Sequence, residues 1–136
     1  MSYYVALVDD SREANPYSSW PHPVVDVTTH QEGGVIAIGG SSEAAMHVTY
    51  NYSSEFCRAW TLAGGSFDGE GDGTLGEMIG GKRAADVIEA LTKAVEILGA
   101  ERDPYYWAPT AGNAGYALSV LLGWALQHPN ATFEVH

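Results

Sequence analysis

DPYYWAPTAGNAGYALSVLLGWALQHPNATFEVH, Asp103 to His136, is the stretch whose reading decides the fold. Three adjacent aromatics lead to Pro109-Thr110, a helix start. An apolar stripe then recurs at Ala114, Ala117, Leu118, Leu121, Leu122 and Ala125, the spacing of one buried helix face. His128-Pro129 stops the helix near Gln127, and Thr132–Val135 (TFEV) reads as a closing strand. A helix followed at once by a strand has to fold back onto a sheet made elsewhere in the chain.

Working outward, Lys82–Leu98 is the clearest helix. Ala84, Val87, Ile88, Leu91, Ala94, Val95 and Leu98 keep the same period. Glu89 and Lys93 form a favourable i,i+4 pair, and Gly99 fits the C-cap. Upstream the period shortens to two. Tyr3–Val8 reads as a buried strand, Val24–Thr29 and Val35–Ile38 as a hairpin. Ala45–Tyr52 reads as the best strand, with Met46, Val48, Tyr50 and Tyr52 on one face. Phe56–Trp60 stays open between a short strand and a helical turn. Gly64–Thr74 carries five glycines in eleven residues and reads as a flexible acidic loop. Strands ahead of helices imply one α+β domain over residues 1–136: an antiparallel or mixed sheet packed by two helices.

The chain has 136 residues, 46% of them hydrophobic, and 17 acidic against 6 basic residues for a net charge of -11. That size suits a single core. The charge disfavours a nucleic-acid polymer as partner, because phosphate contacts need cations. It fits solubility better than mimicry of a polyanion, since the acids are scattered. The single cysteine, Cys57, fits a reducing cytoplasm. No run of 18 apolar residues argues for a membrane span.

Two segments suggest a ligand site. At Gly80-Gly81-Lys82-Arg83, two cations sit at the start of the strongest helix. A helix N-terminus is already partially positive, so an anion docked there would relieve the conflict. The ordinary alternative is a pair of solvated cations beside a loop. The pattern is not a P-loop. The second segment is Tyr105, Tyr106 and Trp107 with Thr110 and Asn113. Three consecutive rings cannot all enter the core, so at least one is available to stack on a planar ligand or to meet a partner protein. The alternative is a hydrophobic anchor with a capped helix start.

Other features carry less. Asp68, Glu70 and Asp72 imitate the start of a calcium loop, but Ile79 stands where a bidentate Glu is required. No histidine pair has metal spacing. Neither the histidines, nor Cys57 beside Arg58, nor Asp9-Asp10 makes a catalytic set. No catalytic residue, metal or cofactor is assigned.

Thr49-Tyr50-Asn51-Tyr52-Ser53, the helix from Gly80 to Leu98, and Tyr106–Ala114 (YWAPTAGNA) ending in His128-Pro129 together resemble a widespread group of small, mostly uncharacterised proteins of phages, prophages and their hosts. The resemblance covers about residues 45 to 136. It implies an accessory role, commonly against host defence. By analogy with oligomeric sponges of nucleotide immune signals, it implies a phosphate-bearing small molecule as ligand.

The reading that follows is a non-enzymatic binder of a nucleotide-like molecule in the host cytoplasm. Gly81, Lys82 and Arg83 would take the anion, and Tyr105, Tyr106 or Trp107 would stack on the base. Two alternatives stand beside it: an acidic module that inhibits a host protein, and a small hydrolase without a recognisable motif. Self-association into a dimer or larger is expected, through Val120 and Trp124.

Overall fold

A computed structural model describes residues 2–8, 35–37, 45–105 and 107–136. Among the described residues there are four strands: β1 (Ser2–Val8), β2 (Val35–Ala37), β3 (Ala45–Thr49) and β4 (Thr132–Val135). They form an antiparallel sheet in the order β2-β3-β1-β4. Four helices follow the third strand: α1 (Ser53–Leu62), α2 (Gly73–Ile79), α3 (Ala84–Leu98) and α4 (Ala111–Gln127). The class is α+β, as the strand and helix periods imply.

β1 lies inside the sheet, and its alternation divides two surfaces. Tyr3, Val5 and Leu7 join Met46, Val48, Phe133 and Val135 in the main core, under the helices. Tyr4, Ala6 and Val8 form a small second cluster on the opposite face. Tyr4 there meets His47 across the β1–β3 ladder, with ring centroids 5.7 Å apart.

Among the described residues four helices pack the sheet, where the sequence suggests two. The first addition is α1, over the segment that the sequence left open between a short strand and a helical turn. The Ala45–Tyr52 strand ends at Thr49, whose hydroxyl accepts from the Asn51 amide at 3.2 Å and turns the chain into a 3-10 turn over Tyr50–Tyr52. Tyr50 therefore leaves the sheet pattern and is exposed, while Tyr52 stays buried. Tyr52, Phe56, Ala59 and Trp60 all face the core, at helical rather than alternating spacing. The Val24–Thr29 strand lies outside the described residues.

α2 is the second addition. It starts at Gly73, next to Asp72, whose side chain makes no capping bond. The loop before it, read as flexible, is fastened by its backbone: Gly69 donates to the Glu77 carbonyl at 2.7 Å and Glu70 to that of Gly80 at 2.6 Å. Backbone this close leaves no room for side chains, which is why the stretch is so rich in glycine.

α3 and α4 run as an antiparallel pair. Gly99, at φ 72°, ends α3 as a C-cap, its amide on the Val95 carbonyl at 2.7 Å. The following residues lie flat on the start of α4. A methyl group at Gly112 would overlap the Glu101 carbonyl, and one at Gly115 that of Gly99. At the other end of the pair, the chain leaving α4 crosses the start of α3 before entering β4. No helix among the described residues is long and apolar enough to cross a membrane.

Candidate functional site

The cations at the start of α3 line an open cavity of about 860 Å³ between the end of α1, the 64–68 loop and the first turns of α3. Trp60 forms one wall. Three of the six basic residues of the chain, Lys82, Arg83 and Lys93, line it together with Asp68, Asp86 and Glu89. Each cation has an acid: Lys82–Asp68 at 2.9 Å, Arg83–Asp86 at 3.6 Å and Lys93–Glu89 at 3.1 Å. In a chain of net charge -11 this cavity is locally balanced.

Lys82 is occupied by the protein itself. Its ammonium donates to the Ser66 carbonyl at 2.9 Å and the Ser66 hydroxyl at 3.2 Å, besides pairing with Asp68. It also lies 5.9 Å from the Trp60 ring centroid, a cation–π distance. Trp60 Nε1 donates to the same Ser66 carbonyl at 2.8 Å. An ammonium has three N–H donors, so these contacts use all of them. The hydrogen bond from Lys82, with help from Ser66, pulls the Asp68 carboxyl down to about 2.

The helix N-terminus is closed as well. Gly81 donates to the Phe133 carbonyl at 2.8 Å, Ala84 to Ala131 at 2.7 Å and Ala85 to Pro129 at 2.9 Å. These amides were the expected anion donors, and the carbonyls of Pro129, Ala131 and Phe133 accept from them in the anion's place. That satisfies the orphan donors of a helix start without a ligand. The placement of Lys82 is thus explained by loop anchoring. Arg83, about half exposed, remains at the rim.

The aromatic segment is built differently. Its hub is Asn113, fully buried in the first turn of α4. Its Nδ2 donates to the carbonyls of Tyr105 (3.2 Å) and Ala108 (3.0 Å), and its Oδ1 accepts from the Asp103 amide at 2.9 Å. Its own amide donates to Thr110 Oγ1 at 3.1 Å, so Thr110 is the N-cap. Asp103 Oδ1 accepts from the Tyr105 amide at 2.8 Å. With the backbone fixed this way, the side chains of Tyr105 and Trp107 point outward, 71% and 48% exposed. Tyr106 lies outside the described residues.

One further group joins this loop. Asn51 Nδ2 donates to the Trp107 carbonyl at 3.1 Å, which brings the exposed Tyr50 alongside. Tyr50 stands edge-on to Tyr3, ring centroids 4.5 Å apart. Asn51 and Tyr50 escape a reading that keeps them in a strand. The signal for them was Thr49-x-Asn51, the spacing of a hydroxyl-capped turn.

The two expected halves of the site do not meet within one chain. Lys82 and Arg83 precede α3, and Tyr105 and Trp107 follow it beside the start of α4. The 15 residues of α3 hold them apart by roughly 22 Å of helix. Nor does the aromatic loop carry anion-binding charge: Glu101 and Asp103 are exposed next to it, and Arg102 packs on the Tyr116 ring, 4.7 Å from its centroid.

Other candidates remain apart. Cys57 is exposed on α1. Ile79, at the twelfth position of the calcium-like loop, is buried in the core. Among the described residues no three metal-binding side chains cluster. His47 Nδ1 lies 3.1 Å from Ser2 Oγ, on the sheet face of Tyr4, whose ring stands beside it.

No protein-family model, curated protein or solved structure matches this chain.

Proposed function

We propose that the chain is a non-enzymatic interaction protein of the cytoplasm that blocks a protein partner, its Tyr105–Trp107 loop being the docking element. The observation that carries this is the fully buried Asn113, which ties down the carbonyls of Tyr105 and Ala108 while Tyr105 stays largely exposed and Trp107 about half exposed. A rigid aromatic pair loses little conformational entropy on binding, and Tyr and Trp dominate interface hot spots. The acids beside the loop and the net charge of -11 select a partner with a basic surface. The resemblance to phage and prophage proteins gives that partner a context, an accessory protein acting on a host factor.

The test is affinity capture from host lysate with wild type and a Tyr105→Ala/Trp107→Ala variant, at low and moderate salt, with the captured proteins identified. The expected result is a basic protein held by wild type, weakened by salt and lost with the variant. The same proteins captured by both forms would sink the proposal.

A second reading keeps a phosphate-bearing nucleotide as ligand, now at the Trp60 cavity alone. What favours it is the gathering of Lys82, Arg83 and Lys93 around one aromatic wall. What opposes it is that an anion has to displace Asp68 from Lys82. A thermal-shift panel of linear and cyclic nucleotides, on wild type and Lys82→Ala/Arg83→Ala, separates the readings. A shift of several degrees for one nucleotide, lost in the variant, would replace the docking reading with this one.

A further inference from the structure

α4 has 17 residues and not one of them is charged. Its inner face is spent on the core: Ala114, Ala117, Leu118, Leu121, Trp124 and Ala125 are buried. Trp124, expected at a contact between copies, is among them at 2% exposure. The outer face holds Tyr116, Ser119, Val120, Gly123 and Gln127 at i, i+3, i+4, i+7 and i+11, all at least partly exposed. Leu126, 60% exposed, lies beside them. A surface helix normally turns charge to solvent, and this one belongs to a strongly acidic chain.

We infer that this face is where two copies of the chain meet, α4 against α4, antiparallel about a two-fold axis between residues 119 and 120. Two features of the face select a second copy over a different partner. The first is charge. Two chains of -11 repel, so a self-contact has to use a surface free of carboxylates, and a basic partner would find nothing to pair with on α4. The second is shape. An isologous contact must be self-complementary. The two-fold sets Tyr116 of one copy opposite Gly123 of the other, and Ser119 opposite Val120. A side chain added at Gly123 would meet nothing within 4 Å, so this is an open notch, and Tyr116 is the bulkiest side chain on the stripe. The Arg102 guanidinium packed on Tyr116 holds that ring in place from one side. Small residues at 119 and 123 let the two helices approach closely, ring into notch.

The geometry has a consequence for the docking loop, although it does not depend on it. Antiparallel pairing sends the two helix starts, and the two Tyr105–Trp107 loops, to opposite ends of the dimer.

The experiment is sedimentation velocity on the full chain over a concentration series, with three variants. Wild type is expected to sediment as a dimer. Val120→Glu places like charges at the axis, and Gly123→Leu fills the notch; both are expected to raise the dissociation constant at least tenfold. Thermal melts of the dilute variants establish that they fold, and Gly123→Leu should melt no lower than wild type, because leucine favours helix over glycine. In a Cys57→Ser background, Ser119→Cys is expected to give a disulfide-linked dimer on mild oxidation. A wild type that stays monomeric throughout, or a dimer that both substitutions leave intact, would overturn the inference.

Discussion

The ammonium of Lys82 stands 2.9 Å from a carboxylate oxygen of Asp68, and Ser66 completes its shell. This one pair converts what looks like a misplaced cation at a helix start into the fastening of a loop. Replacing Lys82 by Met keeps the aliphatic stem over Trp60 and removes the donors. The expected result is faster proteolytic cleavage within residues 64–70, with the helical circular dichroism unchanged.

The same pair gives a pH dependence. Asp68 has a folded-state pKa near 2, below the ordinary 3.8. A carboxylate depressed by folding contributes stability above its unfolded pKa and loses it as pH falls through the folded one. The loop contact should therefore weaken between about pH 4 and pH 2. Proteolysis by an acid-active protease across that window, on wild type and Asp68→Asn, checks it: the rate should rise with acidity in wild type and stay flat in the variant.

Tyr52 sets the opposite limit. Burial raises its hydroxyl pKa from 10.0 to about 12. A raised acid pKa contributes stability that is complete below the unfolded value and disappears as pH climbs to the folded one. Stability should decline between about pH 10 and pH 12. Tyr52→Phe should reduce that decline, read as a smaller drop in melting temperature over the range.

Asn113 carries the aromatic loop. Asn113→Ala leaves two or more buried polar groups without partners, so a loss of about 3 kcal/mol is expected from urea titration. Thr110→Ala removes only the cap, about 1 kcal/mol. Tyr105→Ala/Trp107→Ala should stay within about 0.5 kcal/mol of wild type, because both side chains are outside the core. That ordering distinguishes the residue that builds the loop from the residues that the loop presents.

Gly115 is a packing requirement. Gly115→Ala would press its methyl group into the Gly99 carbonyl, and overpacking of this kind typically costs about 1–3 kcal/mol. Gly123→Ala on the same helix meets open space and should stabilise. The pair, melted side by side, tests whether α3 and α4 approach as closely as described.

Much of the fold was legible in periodicity. α4 begins after Thr110 and ends at Gln127, and Thr132–Val135 is a strand, because caps and a proline stop are local chemistry. α1 was hidden because Met46-His47-Val48-Thr49-Tyr50-Asn51-Tyr52 alternates beyond the residue where the strand ends. The switch is made by one hydroxyl, Thr49, which alternation does not register. The candidate site was half legible. At least one ring of 105–107 had to emerge, and those at 105 and 107 do. What no local pattern reveals is that Pro129 and Ala131, far along the chain, supply the carbonyls that close the start of α3.

Val5 pairs with Met46 on one side and Val135 on the other. This inner strand thus acquires its neighbours from remote parts of the chain, whereas α3 and α4 are consecutive. Contacts of long sequence separation form slowly, since a large loop must close first. The helical pair is therefore the natural early structure in refolding, and sheet completion the late, rate-limiting event. A docking loop borne by α4 would be shaped before the sheet beneath it exists.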